Sequence, residues 1–378
     1  MAHVRRARSG QGWEARYRDP HDRERARTFN TKREATQFLA RQLADVQRGD
    51  WLEPALARVT FGAWADEWLA TTVHLKPKTQ VGYESLLERH VRPAFADLRI
   101  SAIEQIDIRR FVSAMTAAGA EPGTVRNAFN VVRQVFNVAV AAGAVRSSPC
   151  QGVRMPRSVR QEMLFLDGLG IRRLAVSIDV RYSALIMLAA YGGLRAGELG
   201  ALRRGRLDLL RGTVEVAESL AEVKGRLVFG ETKTYARRTV RLPRFLSDVL
   251  GEHVARFASD KNDLVFTGAQ GAPIRHNLFY GRHFKPAVRE AGLPEALRFH
   301  DLRHTCAALL IAQNAHPKAI MERLGHSSIQ VTLDRYGHLL PSLDESLADG
   351  LEATYRESLQ QPLDGGSHIA ALRTRDVG

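Results

Sequence analysis

Across residues 11–18 the apolar Trp13, Ala15 and Tyr17 alternate with Glu14, Arg16 and Arg18, the two-residue period of a strand with one buried face. Asp19-Pro20-His21-Asp22 then reads as a turn, residues 25–29 as a further strand, and residues 31–46 as a helix capped by Asn30 or Thr31. The opening segment is therefore expected to form a small three-stranded sheet with one helix. From Phe61 the period lengthens: Phe61, Trp64 and Trp68 share a helical face, and Tyr83, Leu86, Leu87 and His90 follow a capping Thr79. Residues 107–118 repeat the pattern through Ile108, Phe111, Val112 and Met115 and stop at Gly119. Residues 124–142 stack Val125, Phe129, Val132, Val135, Phe136 and Ala139 and stop at Gly143. This spacing predicts a four-helix domain with the aromatic residues in its core.

Ser147-Ser148-Pro149 through Met155-Pro156-Arg157 has the polar, proline-marked composition of a linker. Beyond residue 160 the chain opens helical, passes through predicted strands at 213–216, 226–232 and 237–242, and returns to helices between Pro243 and Tyr336. The expected fold class is multidomain and mainly α with small β-sheets. Its predicted divisions are residues 1–58, 59–150, a linker at 151–159, a mixed α+β domain at 160–340, and a C-terminal helix and disordered tail at 341–378.

A chain of 378 residues and 42.1 kDa exceeds one ordinary core, in keeping with several domains. Its net charge of +14 suits a phosphate-rich partner, although an arginine-rich coding bias would produce the same excess. Distribution sharpens the reading, because residues 341–378 invert the sign with three basic against seven acidic groups. Cys150 and Cys306 are too few for a disulfide framework or a four-thiolate zinc site, which fits a reduced compartment. No apolar run approaches the roughly 20 residues of a membrane span, and the basic N-terminus lacks the apolar stretch of a signal peptide. A cytoplasmic, nucleoid-associated location and no membrane partner are expected.

Four separated pieces of the third domain carry candidate chemistry: Gly192-Gly193-Leu194-Arg195-Ala196-Gly197-Glu198-Leu199, Glu231-Thr232-Lys233-Thr234, His300-Asp301-Leu302-Arg303-His304, and Leu324-Gly325-His326 with Tyr336 ten residues later. In this order and spacing they resemble the tyrosine recombinase (phage integrase) family. Residues 160–340 match its catalytic domain, residues 60–150 look like its core-site-binding domain, and residues 1–55 resemble the arm-site-binding domain of many integrases.

The resemblance implies a nucleophilic Tyr336 that attacks a DNA phosphorus and leaves a 3′-phosphotyrosine. Arg195 and Arg303 would clamp the phosphate, a task that suits a planar, always-charged guanidinium. His300 lies three residues before Arg303 and would assist proton removal from the attacking hydroxyl. Lys233 would protonate the departing 5′ oxygen, and His326 would bond a nonbridging oxygen. Glu198 and Asp301 are expected as structural support, and His304 as a structural neighbour. The Gly192-Gly193 pair is expected to let backbone come close to DNA. Arg16, Arg18 and Lys78 are candidate DNA contacts. A covalent link that conserves bond energy needs no cofactor or metal, and the sequence has neither a phosphate-cradling Gly-x-x-x-x-Gly-Lys loop nor a carboxylate cluster for paired magnesium.

The sequence is also compatible with other classes: a DNA-binding regulator without catalysis, a type IB-like topoisomerase, and, more remotely, a zinc hydrolase using His300 and His304. The expected partner is double-stranded DNA at attachment sites, with DNA-bending or excision proteins as accessories. Leu343, Leu347, Leu351 and Tyr355 recur every four residues, an amphipathic stripe expected to dock on a neighbouring subunit of a tetramer assembled on DNA.

Overall fold

The computed structural model describes residues 2–8, 10–49, 51–157, 163–232, 237–258, 260–339, 351–353 and 356. The chain forms two compact units, one of residues 1–162 with 221–228 and one of residues 163–220 with 229–378.

In the first unit, β1 (His3–Arg6), β2 (Trp13–Arg18) and β3 (Glu24–Phe29) form an antiparallel sheet in that order, with Trp13 opposite both Arg6 and Phe29. Alternation along β2 buries Ala15 and Tyr17 against Ala35 and Leu39 of α1 (Lys32–Arg48). Thr31 and Glu34 cap α1 reciprocally, and Gly49 ends it in the left-handed region at φ 73°. The turn between β2 and β3 is built on buried Asp19, which accepts from the backbone of His21 and Arg23 and from Arg25 Nε.

The helices that follow are α2 (Phe61–Ala70), α3 (Pro77–Leu86), α4 (Arg92–Phe95), α5 (Gln105–Ala117) and α6 (Pro122–Ala141). A widened π-type turn at Leu87–Val91 joins α3 to α4, so the third predicted helical run is longer than its pattern implied. Phe61, Trp64, Trp68, Ile108, Phe111, Val132 and Phe136 are all buried in one core. Each such side chain contributes roughly 1.5–3 kcal/mol through removal from water.

The second unit comprises α7 (Gly168–Ser177), α8 (Val180–Gly192), α9 (Ala196–Gly200), the strands β4 (Leu207–Asp208) and β5 (Thr213–Val216), parts of β6 (Glu218–Val223) and β7 (Arg226–Glu231), whose residues 221–228 fall in the first unit, and β8 (Arg238–Arg241), then α10 (Arg244–Phe257), α11 (His276–Phe279), α12 (Lys285–Glu290), α13 (Asp301–Ala312), α14 (Pro317–Leu324) and α15 (Ile329–Tyr336). Strands β4, β5 and β8 make one antiparallel sheet, and β6 pairs with β7 in another. Helix α8 is apolar on all sides, as a helix enclosed by α7, α10 and α13 must be. Strand β6 escapes the sequence pattern because every one of its residues is half-buried, which leaves no alternation to read.

The protein is thus mainly helical with small antiparallel sheets. No described helix is long and apolar enough to cross a membrane. Of the C-terminal stripe, Leu343, Leu347 and Tyr355 lie outside the described residues, while Leu351 sits in helical backbone and is 72% exposed.

Candidate active site

Helix α8 ends at Gly193, whose φ of 72° is left-handed, and the chain turns at once into α9 with Arg195 as its N-cap. A Cβ at Gly193 would lie 2.7 Å from Leu324 Cδ2 and 3.0 Å from Cys306 Sγ. This glycine thus serves internal packing: it lets the end of α8 close against α13 and α14.

Arg195 is held by a carboxylate from its own helix. Its Nη1 donates to Glu198 Oε1 and its backbone N–H to Glu198 Oε2, both at 2.8 Å, while Nη2 reaches the carbonyl of Gly325 at 2.7 Å. Glu198, 2% exposed, also receives a two-pronged bond from Arg238 of β8. Burial alone would raise the Glu198 carboxyl, but the hydrogen bonds and charges of Arg238 and then Arg195 hold it down to about 2.

Helix α13 carries His300 at its N-cap, then Arg303 and His304. Buried Asp301 accepts three bonds from Arg298, at its backbone N–H, Nε and Nη2, and so fixes the first turn. Arg303 is 3% exposed, and its Nη1 donates to the Gly193 carbonyl at 2.6 Å while Nη2 reaches the Leu324 carbonyl. Burial, then the charge of Arg195, lowers its guanidinium to about 9. His300 keeps an edge open to solvent, yet the packed protein behind it, then His304 and Arg303, hold its imidazole near 4.

Gly325 closes α14 in the left-handed region, with the Arg238 guanidinium occupying the place a side chain there would take. His326 follows, its Nδ1 bonded to Thr332 Oγ1 at 2.8 Å, and burial with Arg303, Arg195 and Arg335 lowers it to about 3. Tyr336 ends α15. Its ring stacks on that of His326 at 6.3 Å, its hydroxyl lies 2.6 Å from His304 Nδ1, and it is 1% exposed. Burial raises the phenol to about 12, against the lowering pull of Arg303 and Arg335.

The second unit thus gathers Arg195, His300, Arg303, His326 and Tyr336 around the junctions of α8 with α9 and of α14 with α15. Lys233 lies outside the described residues. Arg16 and Arg18 belong to the first unit, where Arg16 is paired with Glu14 and Glu24 and Arg18 with Asp22; Lys78 is exposed on α3. Sequence reasoning missed Arg238, hidden in an ordinary basic strand, and placed His304 only as a neighbour. For the zinc reading, His304 Nδ1 is engaged by Tyr336, and no three His, Cys, Asp or Glu side chains converge among the described residues.

Two family profiles match the chain, the phage integrase family over residues 171–342 and the phage integrase N-terminal SAM-like domain over residues 60–116. A Mycobacterium tuberculosis protein named as the integrase of prophage phiRv2 is 29% identical over 359 residues, covering 91% of this chain and 93% of that protein. The integrase of transposon Tn1549, solved in complex with transposon right end DNA, aligns with a TM-score of 0.69 at 19% identity over 78% of this chain and 99% of its own. A lambda integrase tetramer bound to a Holliday junction aligns with a TM-score of 0.53 at 19% identity, over 86% and 95% of the two chains. The two structures share the fold, the profiles span the unit that holds the gathered residues, and the chain belongs to the phage integrase family of tyrosine recombinases.

Proposed function

We propose that this recombinase integrates and excises a phage or other mobile element by metal-independent transesterification through a 3′-phosphotyrosine. The observation that carries the reading is the gathering of Tyr336, two arginines and two histidines, His300 and His326, at the ends of four helices. Arg195 and Arg303 neutralise the scissile phosphate, and His326 bonds a nonbridging oxygen. The Tyr336 oxygen forms a bond to phosphorus as the bond from phosphorus to the 5′ oxygen breaks. Lys233 supplies the proton that the leaving oxygen needs, and His300 at the rim helps draw away the phenolic proton. Glu198 and Asp301 hold Arg195 and the start of α13 in place.

In this reading residues 1–58 bind arm sites, with Arg16 and Arg18 among the contacts, and residues 59–150 bind core sites with Lys78. The linker at 151–159 joins them to the catalytic residues 160–340. The acidic segment 341–378 docks on a neighbouring subunit of a DNA-bound tetramer that works in the cytoplasm with bending or excision proteins. The lambda tetramer on its junction and the DNA-bound transposon integrase support this arrangement by likeness of fold.

The test is incubation with a nicked suicide attachment site. A protein-linked DNA species is expected with the native chain and is lost in Tyr336→Phe, Arg195→Ala and Arg303→Ala, with DNA retention preserved in Tyr336→Phe. An adduct that persists in Tyr336→Phe would refute the assignment.

A further inference from the structure

The phenol of Tyr336 must shed its proton to become a nucleophile, and burial holds it protonated at neutral pH. With the side chain 1% exposed, bulk water is shut out. A buried O–H requires an acceptor, and His304 Nδ1 stands 2.6 Å from it. His304 is itself only 4% exposed and is held neutral near 4 by burial, with Arg335, Arg298 and Arg303 contributing against the opposing charge of Asp301. A neutral imidazole offers a lone pair. The phenolic O–H therefore donates and Nδ1 accepts.

We propose that His304 is a catalytic residue, the first acceptor of the Tyr336 proton during strand cleavage. The proposal rests on the recombinase reading above and deepens it. As the phenolic oxygen bonds to phosphorus, the O–H bond breaks and its proton passes to Nδ1; the bond to the 5′ oxygen breaks, and that oxygen takes a proton from the general acid. No electron transfer is involved. The developing negative charge on the phosphorane favours the imidazolium that forms beside it. The edge-on contact of the His300 and His304 rings, 4.8 Å between centroids, places a second imidazole between His304 and the solvent-facing rim. This assignment moves the contact with the nucleophile from His300 to the next turn of the same helix.

Single-turnover formation of the covalent complex on a suicide site tests it with the full-length protein. His304→Ala is expected to slow the adduct by about a hundredfold, in the range of general base catalysis, with core-site binding changed by less than about twofold. His304→Asn places an amide where Nδ1 stood, keeps the contact and cannot take the proton. It is expected to melt near the native temperature and still be slowed at least about tenfold. A 5′-bridging sulfur, which leaves without an acid, is expected to restore Lys233→Ala and not the His304 variants. The proposal is overturned if either variant cleaves at the native rate, if binding falls in step with cleavage, or if the sulfur substrate rescues His304→Ala. Failure of the native chain to form any adduct would instead remove the recombinase reading on which it stands.

Discussion

Arg238 meets Glu198 edge to edge, its Nη1 and Nη2 donating to the two carboxylate oxygens at 3.0 and 2.7 Å. Because the same carboxylate also holds Arg195, one buried anion ties the start of its own helix to a cation from strand β8. Glu198→Gln would leave two guanidinium groups facing a neutral amide. Loss of one partner from a buried ion pair costs about 3–5 kcal/mol. Urea denaturation at neutral pH is expected to show a loss of that order together with a slower covalent step; native stability in the variant would contradict the role.

Acidification should weaken the fold in two stages. The folded values of His304 and His326, about 4 and about 3, lie below the unfolded value near 6.5, so the unfolded chain binds protons first as pH falls. Their contribution is complete above about 6.5 and declines as pH drops toward 4, at up to about 1.4 kcal/mol per pH unit for buried His304 and less for half-buried His326. Glu198, depressed to about 2, adds a second loss from about 4.5 downward. Chemical denaturation across pH 7 to 4 measures the slope, and His326→Asn should flatten it; a flat native curve would contradict the burial argument.

Gly193→Ala should disturb the site from inside. A left-handed residue with a Cβ costs about 1–2 kcal/mol, and the new methyl would push on Leu324 and Cys306 at 2.7 and 3.0 Å. Since Arg303 is anchored on the Gly193 carbonyl, the covalent rate is expected to fall along with the melting temperature. A variant that melts and cleaves as the native chain does would show that the close approach is unimportant.

The outer face of the N-terminal sheet is less basic than its sequence, because Glu14 accepts from both Arg5 and Arg16. If that face binds DNA, Glu14→Gln should release Arg5 and leave Arg16 on Glu24 alone, tighten arm-site binding at low salt, and steepen the salt dependence by about 0.9 for each phosphate newly met. An unchanged slope in a filter-binding titration would place the contact elsewhere.

The sequence carried the elements with strong periodicity. Trp13, Ala15 and Tyr17 alternate because one sheet face is covered by α1, and Phe61, Trp64 and Trp68 recur because α2 lies on a core. Motif spacing gathered Arg195, Arg303, His326 and Tyr336 onto neighbouring helix ends. What stayed hidden depends on contacts between distant segments. Arg238 belongs to the site only because β8 runs beside Gly325, and His304 touches Tyr336 only because α15 folds back on α13, 32 residues later. No local pattern encodes either approach.

Arg303 is tethered by two peptide carbonyls, those of Gly193 and Leu324, which are dipoles and not anions. Its orientation is thereby fixed without a direct ion pair, a cation held in a dry interior with Glu198 as its neighbouring negative charge. In the proposed cleavage reaction a DNA phosphate supplies the neutralising charge, so the site is built to be most comfortable when it is loaded.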